Sequence, residues 1–244
     1  HDAGGISALL KELSKKNLLD LSAKTVQEAN LGERIANAQN TNEHVIKPIS
    51  QAFSASGGLA VLFGNLAPEG AVVKTAAILP NQMYHKGLAR VFDDESSCIE
   101  AIYSGKIRPY DILVIRYVGP SGSPGMPEML SPTSAIMGTS LGETVSLITD
   151  GRFSGGTRGA CIGHISQEAA RCGMIGLLRE GDTVEIDITN RKINALLSDE
   201  EIAIRKQEFV PNLKPCDSSW LKRYRFLVDS ASKGAVLKEA FDAN

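Results

Sequence analysis

Glu143-Thr144-Val145-Ser146-Leu147-Ile148-Thr149-Asp150-Gly151-Arg152-Phe153-Ser154-Gly155-Gly156-Thr157-Arg158-Gly159 is an apolar run that empties into a loop with four glycines in nine residues. The first half alternates in part and ends in a hydroxyl and a carboxylate, so it predicts a strand leaving a sheet. The second half crowds hydroxyls, guanidinium groups and flexible backbone. Glycine there lets backbone N–H groups point at a ligand with no Cβ in the way, so the loop reads as a site.

Working outward, similar short apolar runs at 58–64, 70–75 and 111–116 lie between turn residues and predict buried strands. Helical candidates at 95–104, 127–137 and 167–172 fall between them, the last with Gly173 as its stop. This alternation predicts an α/β fold. Thr183-Val184-Glu185-Ile186-Asp187-Ile188 then alternates cleanly, and Lys192-Ile193-Asn194-Ala195-Leu196 answers it across Thr189-Asn190-Arg191. A β-hairpin with one wet face follows, and with it a mixed sheet or partial barrel. Ser198 precedes Asp199-Glu200-Glu201 as an N-cap in capping-box spacing. Two short helices, 219–226 and 233–241, are expected to close the chain.

At the other end, His1-Asp2-Ala3-Gly4-Gly5 opens the chain without an initiator Met, which predicts a fragment or a processed product. A helix over 6–16 carries Ile6, Leu9, Leu10 and Leu13 on one face and needs a partner for that stripe. Residues 17–45 are polar and Asn/Gln-rich, with a short helix around 25–38, and read as a connector.

The bulk numbers narrow the class. The 244 residues are 43% hydrophobic and 22% charged, within the globular range. The 26 Lys and Arg are scattered among 28 Asp and Glu, and the net charge is −2, so no basic stripe marks a nucleic acid or an anionic membrane as partner. No window approaches the roughly 18 uninterrupted apolar residues of a membrane span, and no basic-then-apolar leader opens the chain. Cys98, Cys161, Cys172 and Cys216 form no C-x-x-C pair and no metal spacing, and read as ordinary thiols of a cytoplasmic protein.

Two loops are candidates for chemistry. Gly119-Pro120-Ser121-Gly122-Ser123-Pro124-Gly125-Met126-Pro127-Glu128-Met129-Leu130 follows a strand, and Pro127 suits the first turn of a helix. Glu128 then either answers the helix dipole or projects into the crevice at the strand carboxyl ends as an oxygen ligand for a hard cation. One carboxylate is not a metal site, since Mg²⁺ takes about six oxygens. In the second loop, Ser154 fails two familiar patterns. Arg152 fills the glycine position of a nucleophile elbow, and Thr157 stands where a P-loop needs lysine. What remains is a hydroxyl beside backbone donors, Arg152 and Arg158, suited either to an oxyanion or to a serine alkoxide. Each unit of pKa depression takes about 1.4 kcal/mol, so an alkoxide needs a nearby cation. The plainer reading is that Ser154 and Thr157 satisfy the turn.

His164 lies in an apolar run and reads first as a core imidazole, whereas His44 and His85 fall in polar connectors. Lys74 at a strand end is a candidate to face the same crevice.

Taken in order, Gly64-Asn65-Leu66-Ala67-Pro68-Glu69-Gly70-Ala71-Val72-Val73-Lys74, the Gly119–Leu130 block, Asp150-Gly151-Arg152-Phe153-Ser154-Gly155-Gly156 and Gly163-His164-Ile165-Ser166 resemble the dihydroxy-acid dehydratase family, which also holds phosphogluconate and sugar-acid dehydratases. The likeness covers nearly the whole chain but only the C-terminal part of that family's polypeptide. It implies a hydro-lyase turning a 2,3-dihydroxy carboxylate into a 2-keto acid in branched-chain amino-acid biosynthesis. By the same resemblance, Ser154 takes the C2 proton, Gly155, Gly156 and Thr157 bind substrate, and Glu128 is a Mg²⁺ ligand. It also implies an iron–sulfur cluster whose cysteines lie in the N-terminal domain, so none of the four cysteines here is given that role. The fold implied is a swivelling β/β/α barrel-like domain, like the mobile domain of aconitase, with flanking helices. Residues 1–45 would be a helical connector from the N-terminal domain, 46–200 the swivelling domain, and 201–244 helices packed on it. The partners implied are a small dihydroxy acid, the N-terminal domain and a second copy in a homodimer. The isolated chain is expected to fold without dehydrating substrate or binding a cluster. A sugar-acid or phosphogluconate dehydratase, or a non-catalytic domain holding a small anion in its glycine-rich loops, are the alternatives.

Overall fold

The computed structural model describes residues 1–238 and divides the chain into two compact units, His1–Gly57 and Gly58–Asn244. In the first, α1 (Gly5–Ser14) buries Ala8 and Glu12, while Ile6 and Leu9 of the expected stripe are exposed. Ionised Glu12 is kept in its buried place by Lys15 and by the backbone N–H of Ile49, which donates at 3.3 Å. The helix expected over 25–38 contracts to α2 (Leu31–Ile35). Short polar side chains take the preceding backbone instead: Asp20 accepts from the Ser22 N–H at 2.9 Å, and Thr25 donates to the Ala29 carbonyl at 2.8 Å. Asn30 and Glu33 then form a reciprocal capping box.

The second unit is mixed α/β, built on an eight-stranded sheet that almost closes on itself. The hairpin β1 (Ala60–Leu62) and β2 (Gly70–Val73) is antiparallel. Next comes β3 (Tyr84–Phe92), which the sequence reading left as connector. Its buried positions include His85 and Ala89, too polar or too small to read as an apolar stripe. His85 is therefore not in a polar loop. Its Nε2 hydrogen-bonds the Tyr110 carbonyl at 3.0 Å, its Nδ1 meets the Ser146 hydroxyl, and burial pushes its pKa down.

Helix α3 (Glu95–Tyr103), N-capped by Asp94, returns the chain to β4 (Ile112–Ile115), which pairs in parallel with β3. The two-residue β5 (Glu128–Met129), α4 (Ser131–Met137), β6 (Ser146–Thr149), the two-residue β7 (Arg152–Phe153) and β8 (Cys161–Ser166) follow. Strands β3, β4, β6 and β8 form a parallel centre, with β1–β2 antiparallel beyond β8. The expected helix at 167–172 is only a 3₁₀ turn, Ala169–Arg171, and α5 (Met174–Leu177) starts after it. Gly173 is not a helix stop. It is small because a Cβ there would sit 1.9 Å from the Gln167 carbonyl oxygen. The hairpin β9 (Thr183–Asp187) and β10 (Lys192–Ala195) stands where expected and pairs with β3. Beyond it run α6 (Asp199–Glu208), capped by the Ser198 hydroxyl, and α7 (Ser219–Leu227). Of the expected 233–241 helix, residues up to 238 form a 3₁₀ turn and a bridge between Val228 and Leu237, and the rest lies outside the described residues. Among the described residues, no helix is long and apolar enough to cross a membrane.

Strand alternation sorts the core into two layers. Ile112, Val114, Ile148, Ile162, Val184, Ile186 and Ile193 fill the interior enclosed by the sheet. Leu113, Ile115 and Leu147 point the other way, under Cys98 and Ile102 of α3 and Ala135 and Ile136 of α4. The near-continuous apolar runs of β4 and β6 reflect this two-sided burial.

Closure is made by the Gly64-Asn65 step. Phe63 exchanges backbone hydrogen bonds with Arg191 and Ile193 at 2.9 and 3.0 Å, joining the end of β1 to β10. Asn65 donates to the Ala195 carbonyl and accepts from its N–H, both at 2.8 Å, while its own N–H donates to Asn194 Oδ1 at 3.0 Å. A Cβ on Gly64 would lie 2.0 Å from the Ile193 carbonyl oxygen. Gly64→Ala is expected to destabilise the second unit by about 2 kcal/mol or more, read by urea denaturation.

The carboxyl ends of β4, β6 and β8 are tied together by buried Asp150. It accepts N–H bonds from Tyr117 at 3.1 Å, Val118 at 3.0 Å and Ala169 at 2.9 Å. Burial pushes its pKa up to about 6, which leaves it ionised at neutral pH with both oxygens occupied. Asp150→Asn would turn an amide donor toward one of these N–H groups. Its expected cost is about 1–3 kcal/mol at pH 7, measured by chemical denaturation.

Candidate functional site

The loops that leave the carboxyl ends of the parallel strands meet at one end of the sheet, where open α/β sheets bind ligands. The first runs from β4 through residues 116–127. Its turn is gripped by a second buried carboxylate, Glu168, which accepts from the N–H groups of Ser121 and Gly122, each at 2.9 Å. Burial raises the pKa of Glu168, while those N–H bonds and Arg171 act against the rise. Arg171 also donates to the Ser121 hydroxyl at 2.9 Å, and Arg225 of α7 donates to the Ser121 carbonyl at 2.9 Å.

The first loop ends in β5, which pairs in parallel with β7, so Glu128 lies opposite Arg152 and Met129 opposite Phe153. This corrects the helix expected over 127–137. Glu128 sits on a strand, because its backbone is drawn to Arg152, and the helix starts at Ser131 with Pro132 in its first turn. The dipole explanation of Glu128 therefore does not apply. Its carboxylate is about half exposed and lies 3.9 Å from the Arg152 guanidinium, whose Nε donates to the Met126 carbonyl at 2.7 Å. The two blocks singled out in the sequence thus share one ribbon.

Ser154 follows Phe153 directly. Its hydroxyl accepts from the Gly156 N–H at 3.2 Å and its carbonyl accepts from the Thr157 N–H at 3.2 Å, so the turn reading holds for Ser154. It does not hold for Thr157. That hydroxyl is buried, on a residue only 6% exposed, and has no hydrogen-bond partner among the described residues. Lys74 reaches this turn and donates to the Gly155 carbonyl. A cleft lined by Lys74, Phe153, Ser154, Gly155, Thr157 and His164 opens beside it.

His164 is the residue that sequence reading underrated. Strand β8 carries one more residue than β2 between the pairs Gly70–Ser166 and Val72–Gly163, and His164 takes the positive φ of 56° at that bulge. The half-buried ring lines the cleft, and burial followed by the nearby Arg152 charge holds its pKa down. A histidine after glycine in a strand pattern is the signal that pointed there.

The donor set limits what metal chemistry these residues support. Among the described residues, no three His, Cys, Asp or Glu gather around one point. Glu128 fits as one oxygen ligand of about six, not as a magnesium site by itself. Cys98 and Cys161 are buried thiols whose pKa burial pushes up to about 12, so both stay protonated here.

Residues 44–235 match the family described as "Dihydroxy-acid/6-phosphogluconate dehydratase C-terminal". Proteins named dihydroxy-acid dehydratase resemble the chain along almost its full length. That of Aquifex aeolicus (strain VF5) is 56% identical over 235 residues, covering 96% of this chain and 42% of the relative. That of Clostridium novyi (strain NT) is 55% identical over 238 residues, covering 97% and 43%. The chain thus spans about two fifths of the length of the curated relatives it matches. On the family match and these relatives together, the chain belongs to the dihydroxy-acid/6-phosphogluconate dehydratase family, as its C-terminal domain.

Proposed function

We propose that this chain forms one wall of the active site of a hydro-lyase, which removes water from a 2,3-dihydroxy carboxylate to give a 2-keto acid of branched-chain amino-acid synthesis. The observation that carries this reading is the β5–β7 ribbon, which sets the Glu128 block and the Ser154 loop side by side. In this reading Ser154, as alkoxide, accepts the C2 proton as the C3 hydroxide leaves, and that proton completes the departing water. The resulting enol loses its O–H proton and gains one at C3, becoming the 2-keto acid. The Gly156 N–H, which donates to the Ser154 oxygen, would stabilise its alkoxide, and Gly155 and Thr157 would orient the substrate.

Glu128 would supply one oxygen to a Mg²⁺ ion whose other ligands come from the rest of the polypeptide, and such an ion favours the ionised form of a neighbouring hydroxyl. An iron–sulfur cluster would belong to that remaining part as well, since no three His, Cys, Asp or Glu gather around one point among the described residues. A swivelling domain like that of aconitase, a homodimer and a cytoplasmic location complete the proposal. The nearly closed sheet is compatible with a swivelling barrel.

In the full-length enzyme, Ser154→Ala is expected to lower kcat about a thousandfold or more with KM little changed, by steady-state turnover of 2,3-dihydroxy-3-methylbutanoate. Turnover near wild type with the fold intact would remove Ser154 from the reaction. The chain by itself is expected to show no visible iron–sulfur absorbance after reconstitution, and strong absorbance would overturn the assignment of the cluster to the rest of the polypeptide.

A further inference from the structure

Two adjoining clefts flank the Ser154 turn and share Lys74, Gly155 and Thr157 in their linings. The one that holds Ser154 and His164 adds the apolar side chains of Leu59, Val72 and Phe153, and the other adds Arg158 and the 76–79 segment. Among the described residues, no carboxylate lines either one, and none pairs with Lys74. A third cleft elsewhere on this unit mixes Glu69, Glu168 and Asp229 with Arg171, Lys233 and Lys238, so its charges answer one another. The Ser154 clefts are different: their cations face open space.

Lys74 spends one donor on the Gly155 carbonyl, and an ammonium carries three. The hydroxyl of Thr157 has no partner. These groups border the same cavity as Ser154. Resting on the dehydratase reading above, we infer that Lys74 anchors the carboxylate of the substrate beside Ser154 and that Leu59, Val72 and Phe153 form the wall for its tail. A short branched aliphatic tail suits that wall. A polyhydroxylated tail would bring hydroxyls against three side chains that offer them no hydrogen bond, so sugar acids are disfavoured. Neighbouring His164 and Cys161 add no charge: burial disfavours imidazolium at the first and thiolate at the second. Lys74 and Arg158 therefore remain the cations of the clefts.

The test uses the full-length enzyme and the present chain together. In the enzyme, Lys74→Met is expected to raise KM for 2,3-dihydroxy-3-methylbutanoate about thirtyfold with kcat changed much less, and Lys74→Arg to restore most of it. Val72→Thr, of equal size, is expected to narrow the kcat/KM preference for that acid over D-gluconate about tenfold. In the chain alone, titration with 2-oxo-3-methylbutanoate is expected to shift the amide NMR signals of Gly155, Gly156 and Thr157 in wild type and in Ser154→Ala, and not in Lys74→Met. Inorganic phosphate and 6-phosphogluconate serve as competing anions; tighter binding of either overturns the carboxylate assignment. KM within twofold of wild type in folded Lys74→Met overturns the anchor, and equal kcat/KM for D-gluconate overturns the apolar wall. If Ser154→Ala instead retains turnover while Lys74→Met loses the keto acid, the dehydratase role of Ser154 fails and the anchor stands.

Discussion

Buried Asp150 is the constraint on which the site end of this domain depends. One ionised carboxylate collects backbone N–H groups from the turn after β4 and from the turn after β8, while itself standing at the end of β6. Three adjacent parallel strands are thereby stopped at a common level. Glu168 repeats the device one turn farther out, on Ser121 and Gly122. Carrying a charge into a fully buried position is costly unless hydrogen bonds meet it, and here the bonds come from backbone that has no ladder partner. The acids that look most reactive from their burial thus hold loops, whereas the exposed Glu128 faces outward.

Much of the architecture was legible because its signals were local. The β9–β10 hairpin announced itself by alternation, and α6 by Ser198 before three acids. Strands β4 and β6 read as buried runs since helices cover their outer face. The 127–137 helix was misplaced because pairing across the ribbon overrode the meaning of Pro127, and that pairing joins residues 24 apart in sequence. Strand β3, the longest in the sheet, was missed because its inner face carries His85, Gly87 and Ala89; a Cβ on Gly87 would meet the Tyr110 carbonyl oxygen at 2.0 Å. A tight interior selects small side chains and so erases the apolar pattern.

At the candidate site, residue types were legible and relationships were not. Glycine density, Ser154 and Glu128 stood out by composition. The free hydroxyl of Thr157, the reach of Lys74 to Gly155 and the bulge that turns His164 toward the cleft arise from pairings that no local window contains. Ser154 itself makes an ordinary turn contact, so its proposed role depends on charges brought to it from outside this turn.

The seam at Phe63 and Asn65 bears on how the molecule is made. The residues it joins are about 130 positions apart, so a growing polypeptide has its first strand in hand long before the hairpin that completes the sheet emerges. Until then β1 and β3 present unpaired edges, a template for association with other chains. Contacts of such separation also slow folding, since loop-closure entropy is lost before the pairing is gained. Closure of the sheet is therefore a late step in synthesis, and those two edges stay open until the β9–β10 hairpin has been made.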